Sequence, residues 1–119
     1  MSFGRWSRQR VYLYRHPVDM RSSIDGLAAL IELELELNPF DEILFVFINK
    51  KRDKIKCLAW ETNGFWLLYK RLVKQRFKWP QWFEEDTLTL SDEQLSQLLD
   101  GYDLNGMRPH KSLFFQSVL

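Results

Sequence analysis

The sequence predicts an α+β fold: a small antiparallel β-meander of three to five strands, packed with one main helix and a short C-terminal helix. Three observations point there. Between residues 43 and 72, the runs ILFVFIN, KIKCLAWE and FWLLYKRL are rich in β-branched and aromatic residues. The short polar breaks KKRD and TNG separate them, which is the pattern of consecutive antiparallel strands. Upstream, SSIDGLAALIELELELN has helical length and apolar residues at Ile24, Leu27, Leu30, Ile31 and Leu35. Downstream, SDEQLSQLLDG carries helix start and stop signals at its two ends.

In chain order, VYLY (11–14) reads as a short strand broken by His16-Pro17. The main helix is expected over 22–38. Ser22 with Asp25 resembles a capping box with Asp in place of Glu or Gln, and Asn38-Pro39 ends the helix. Its tail, IELELEL, alternates with period two, so a strand competes locally; Gly26 costs roughly 1 kcal/mol against Ala. Strands follow over 43–49, 54–61 and 65–72, and RFKWP (76–80) offers a further one. Ser91 with Gln94 makes a second capping box, and Gly101 closes that helix. Residues 1–106 then form one domain, and 107–119 read as a loose C-terminal tail.

A chain of 119 residues, 45% hydrophobic, can bury one two-layer core and is not a disordered tail. No apolar run approaches the ~18 to 20 residues of a bilayer span, and no leader pattern opens the chain. One cysteine, Cys57, excludes an internal disulfide framework. These features place the protein in the cytoplasm.

The net charge of +1 hides segregation. Residues 49–79 hold ten basic and two acidic groups, a net of +8, while the rest of the chain carries −7. Acids cluster around Asp25–Glu42 and in the stretch from Glu84 to Asp103. Such blocks either pair with each other or create local potentials that a partner can use.

The hairpin decides what the basic segment offers. A two-residue Asn63-Gly64 loop implies a type I′ turn. Partners then sum to 127: Thr62 faces Phe65, Trp60 faces Leu67, Leu58 faces Tyr69 and Lys56 faces Arg71. One face carries Lys54, Lys56 and Arg71 with Tyr69, Leu58, Trp60 and Phe65. The other, with small Cys57 and Ala59, is the better bed for a helix. Cations beside aromatic rings match single-stranded nucleic-acid binders. The competing reading makes the rings core and the lysines a snorkelling rim.

Several motifs in order, V-D-M-R-x-x-x-D-G-L-A-A-L, N-P-F followed by L-F-V-F-x-N, K-I-K, W-x-x-x-G-F-W-L-L-Y-K-R-L, R-F-x-W-P and Q-L-x-x-L-L-x-G, cover about residues 11–104. They resemble the TnpB-like accessory protein, the second open reading frame product of the IS66 family of bacterial insertion sequences. One departure stands out. Where the family commonly has glycine in an R-R-G-D turn, this chain reads Lys51-Arg52-Asp53, so that turn forms without glycine's freedom.

The resemblance implies a non-catalytic helper of transposition that works beside a separate transposase, with no catalytic residues to carry over. It directs attention to matched positions as a DNA or partner surface: Arg21 and Asp25 near the first helix, Lys50, Lys51, Arg52, Lys54 and Lys56 at the basic turn, and Lys70, Arg71, Lys74 and Arg76 beyond it. Trp60 and Tyr69 supply the flanking aromatics. The expected partners are the transposase, other proteins of the element and DNA, with no membrane contact. The alternative is an adaptor that contacts the transposase and never touches DNA.

Enzyme chemistry finds little support. Asp19, Asp25 and Asp41 lie beside turns, but no spacing marks them as ligands of the paired metals that a nuclease uses. His16 and His110 are isolated, so no zinc site is indicated, and Cys57 has no imidazole neighbour to activate it. No phosphate-binding glycine motif occurs and no cofactor is implied.

Overall fold

The computed structural model describes residues 10–104. Five strands and two helices occur in the order β1 (Arg10–Tyr14), α1 (Ile24–Leu33), β2 (Ile43–Ile48), β3 (Lys54–Glu61), β4 (Gly64–Arg71), β5 (Thr87–Leu90) and α2 (Asp92–Leu99). They make one mostly antiparallel sheet, ordered β4-β3-β2-β1-β5. The predicted α+β class and both helices are present.

β2, the sequence ILFVFI, is buried at every position because it is the central strand with both faces covered. On one face the registers align Tyr12, Phe45, Leu58 and Leu67 under Leu27 and Ile31 of α1. On the other they align Leu13, Val46, Cys57 and Leu68, which Leu95, Leu98 and Leu99 of α2 cover together with Phe77, Trp79 and Phe83. The Cys57–Ala59 face does carry a helix, α2, but it is not the better bed of the two: the opposite face, with Leu58, Phe65 and Leu67, is covered by the main helix α1. Burial pushes the Cys57 thiol up to about 12, so it stays protonated and inert at neutral pH.

Four other sequence expectations change. First, β1 and β2 are parallel, joined across the sheet by α1. A parallel pair needs such a crossover and cannot be closed by a hairpin. Second, α1 stops at Leu33 and its N-cap is Ser23, whose side chain makes no capping hydrogen bond, so the Ser22–Asp25 box does not form. Beyond Leu33 the alternating residues behave as their period suggests. Leu35 and Leu37 pack into the α1-side core, Glu34 and Glu36 face solvent, and Glu36 takes a positive φ of 53°.

Third, RFKWP is not a strand. Its alternation buries Phe77 and Trp79 against the α2 face, while the fifth strand is the unforeseen TLTL, paired antiparallel with β1. Fourth, the β3–β4 ladder sums to 125: Trp60 pairs with Phe65, Leu58 with Leu67 and Lys56 with Tyr69. The loop is Thr62-Asn63, with Thr62 at φ 53°. Because the slip is two residues, every side chain keeps its predicted face.

The second capping box does form. Gln94 N–H donates to Ser91 Oγ at 3.0 Å and Ser91 N–H to Gln94 Oε1 at 2.9 Å. Gly101 at φ 96° closes α2, with Tyr102 N–H donating to the Gln97 carbonyl and Gly101 N–H to Leu98. These bonds satisfy the helix's last carbonyls in a Schellman arrangement that requires a left-handed residue. Among the described residues no helix is long and apolar enough to cross a membrane. The predicted tail, 107–119, lies outside the described residues.

Candidate functional site: a basic surface at one end of the sheet

The β2–β3 turn is built around Asn49, a buried side chain at the end of β2. Its Oδ1 accepts from Asp53 N–H at 3.1 Å and Lys54 N–H at 3.0 Å, and its Nδ2 donates to Asp53 Oδ1 at 2.7 Å. This bond, with Lys54 at 3.6 Å, holds the Asp53 carboxyl below its ordinary range. Asn49 thus consumes the turn's one carboxylate internally and leaves Lys50 and Lys51 exposed on the loop.

A second segment joins it. Leu72 N–H donates to the Asp53 carbonyl at 2.8 Å, and Phe77 N–H donates to the Arg52 carbonyl at 2.7 Å. These bonds strap residues 72–77 along the turn, so exposed Arg71, Lys74, Arg76 and Lys78 join Lys50, Lys51 and half-buried Arg52 at the same end of the sheet. The like-charged cross-strand pair is Lys54–Arg71, not Lys56–Arg71. It sits at the solvated end of the ladder, with Asp53 beside Lys54.

Other predicted residues are committed elsewhere. Lys56 Nζ donates to the carbonyls of Met20 at 2.7 Å and Ser22 at 2.9 Å, and lies 5.9 Å from the Tyr69 ring centroid. It therefore ties β3 to the chain entering α1. Lys70 Nζ donates to the Leu99 carbonyl at 2.7 Å, a cation at the C-terminal end of α2. Arg21 engages Asp19 through its guanidinium and its own N–H, which pulls the Asp19 carboxyl down to about 2. Trp60 lies four residues along β3 from Lys56, ~13 Å at strand rise, and contacts Phe40 and Phe65 instead. Tyr69 is 55% exposed on the edge strand β4.

The acids of 84–86 flank β1 and β5: Asp86 Oδ1 meets His16 Nε2 at 3.3 Å, and the Glu84 carbonyl meets Arg15. Asp19 and Asp41 lie near opposite ends of β2, since Val18 N–H bonds the Ile48 carbonyl whereas Asp41 precedes Ile43. Asp25 occupies the first turn of α1. Among the described residues no group of three His, Cys, Asp or Glu side chains is placed to hold a metal ion.

Two participants were missed in the sequence. Lys78 is the simpler, a cation two residues beyond Arg76. Asn49 had a readable signal, an amide side chain at a strand end before a polar turn, where such residues bond the backbone that follows. The glycine departure also acquires a location: Arg52 has φ 62°, the left-handed conformation glycine favours. Arg52→Gly is expected to raise stability by about 0.5–1 kcal/mol, read as a higher Tm, whereas Arg52→Ala gives no such gain because its Cβ keeps the strain.

A family model described as IS66 Orf2 like protein matches residues 9–109, spanning every described strand and helix and the basic turn. Two proteins of Sinorhizobium fredii (strain NBRC 101917 / NGR234) are similar over 94 residues. The uncharacterized protein y4hO is 37% identical, over 79% of this chain and 81% of its own length. The uncharacterized protein y4jC is 33% identical, over 79% and 80%. No solved structure matches significantly. The family is one of transposition accessory proteins and is not a known catalytic one. A match over 9–109, with the basic turn and both helices inside it, makes this chain a member of the IS66 Orf2-like family.

Proposed function

We propose that this protein assists transposition in the cytoplasm without catalysing it, by resting its basic end on duplex DNA at or near the transposase. The observation that carries this reading is the strap: two backbone bonds, Leu72 to Asp53 and Phe77 to Arg52, gather cations from two stretches of chain onto one surface. Exposed Lys50, Lys51, Arg71, Arg76 and Lys78 suit phosphates, and phosphate contacts carry no sequence information, so the affinity they supply is largely sequence-independent. Trp60 is separated from these cations, and of the two expected rings Tyr69 alone stands beside them. That is one ring where single-strand binders stack successive bases, which favours duplex.

The test is salt-dependent binding to a short duplex. Phosphate contacts release counterions at a log–log slope near −0.9 each. Replacing Lys50, Lys51 and Arg76 together by Gln is expected to flatten the slope by about two to three units, with the urea midpoint unchanged because exposed charges contribute little to folding. A wild-type protein that shows no salt-dependent binding at low ionic strength, yet still binds transposase, makes the chain an adaptor without DNA contact.

A further inference from the structure

The end of the sheet away from the basic turn carries a different surface. Phe40, Trp60 and Phe65 form one aromatic cluster, with centroids 4.9 Å apart for Phe40–Trp60, 5.4 Å for Phe40–Phe65 and 5.0 Å for Trp60–Phe65. Trp60 and Phe65 are half-buried, but Phe40 is 53% exposed. Its exposure is built into the loop. Asn38 Oδ1 accepts from Phe40 N–H at 2.9 Å, the Asn38 carbonyl accepts from Asp41 N–H at 3.1 Å, and the Asp41 carbonyl accepts from Ile43 N–H at 2.8 Å. Pro39 beside it is buried and anchors the turn. A large ring held outward by a fixed backbone loses little freedom when something covers it, which is the condition for an anchoring contact.

The surroundings decide what covers it. Asp41 and Glu42 follow Phe40, are exposed and form no ion pair with any described residue. Glu61 follows Trp60 on β3 and accepts from the Trp66 indole N–H at 3.1 Å. These carboxylates repel phosphate, and Lys56, ~13 Å away along β3, is bound to carbonyls. Arg10, exposed beside Ile43 at the start of β1 with its guanidinium 3.5 Å from the Tyr12 hydroxyl, is one cation against three acids. Nucleic acid is therefore a poor occupant, and a cationic polypeptide is a good one. We propose that Phe40, seated on Trp60 and Phe65, is a docking site for a Lys- or Arg-rich segment of a partner protein that brings an apolar or aromatic anchor. The site shares no residue with the basic surface and stands whether or not DNA binds there.

The probe is the purified transposase of the same element, titrated in the absence of DNA. Phe40→Ala, and separately Asp41→Lys with Glu42→Lys, are each expected to weaken binding tenfold or more. Their urea midpoints should stay near wild type, and duplex binding at the basic end should be unchanged by Phe40→Ala. The Lys50, Lys51, Arg76→Gln variant should bind transposase as wild type does. The proposal is overturned if wild type fails to bind transposase, or if Phe40→Ala binds it unchanged. It is equally overturned if Phe40→Ala weakens oligonucleotide binding instead, or dissolves a dimer of the chain in sedimentation, which makes the occupant a second copy. DNA affinity is read in a separate titration, so failure here leaves the basic-end reading to its own test.

Discussion

Lys56→Met is expected to destabilise the protein by about 2–3 kcal/mol, a fall in Tm of roughly 10–20 °C for a domain of this size. Lys56 Nζ donates to two backbone carbonyls, those of half-buried Met20 and Ser22. Methionine fills the same volume but donates nothing, so both acceptors lose a charged partner at once. The chain entering α1 loses its tie to β3 as well. Lys51→Met, a few residues earlier on the exposed loop, is expected to change stability by no more than ~0.5 kcal/mol. Thermal unfolding of the pair reads the difference. An unaltered Tm for Lys56→Met, with loss of DNA affinity, would return Lys56 to the binding surface.

Phe45→Ala is expected to cost about 3–5 kcal/mol, a large part of the ~5–15 kcal/mol that holds a domain together. Phe45 is 1% exposed at the centre of the sheet, paired with Tyr12 on one side and Leu58 on the other, beneath α1. Its ring meets Tyr12 edge-on at 6.1 Å. Truncation leaves a cavity walled by three strands and a helix, none of which can close it alone. Phe40→Ala, removing the same side chain from an exposed loop, is expected to cost less than ~1 kcal/mol. Urea midpoints for the two variants separate structural from presented aromatics; similar midpoints would mean Phe40 belongs to the core.

The contrast between these residues shows what was legible in the sequence. The meander was, because β2 is an unbroken apolar run and β3 and β4 follow short polar breaks. The α2 capping box was, because both of its bonds lie within four residues. The hairpin register was not. Asn63-Gly64 is the stronger local turn signal, but pairing Trp60 with Phe65 and Leu58 with Leu67 places like residues opposite each other and seats Phe40 against the first pair. Those gains favour a Thr62-Asn63 loop despite the positive φ it forces on Thr62.

The roles of the lysines were hidden for a related reason. Charge density marked residues 49–79 correctly, but charge says nothing of which ammonium groups are occupied. Lys56 is bound to carbonyls 34 and 36 residues earlier in the chain, and Lys70 to one 29 residues later. Only the fold brings those partners together. The same holds for the parallel β1–β2 pair, which depends on α1 crossing the sheet instead of folding back beside a hairpin.

The most direct test of the basic-end surface is a residue-level footprint of DNA on the folded protein. Amide ¹H–¹⁵N shifts would be followed during titration with a short duplex of arbitrary sequence at low salt. Perturbations are expected to concentrate at 50–54 and 71–78 and to reverse with added salt, with residues 38–42 and 60–65 unmoved. Perturbations centred on Phe40, Trp60 and Phe65, or none at any residue while transposase still binds, would contradict DNA binding at the basic end.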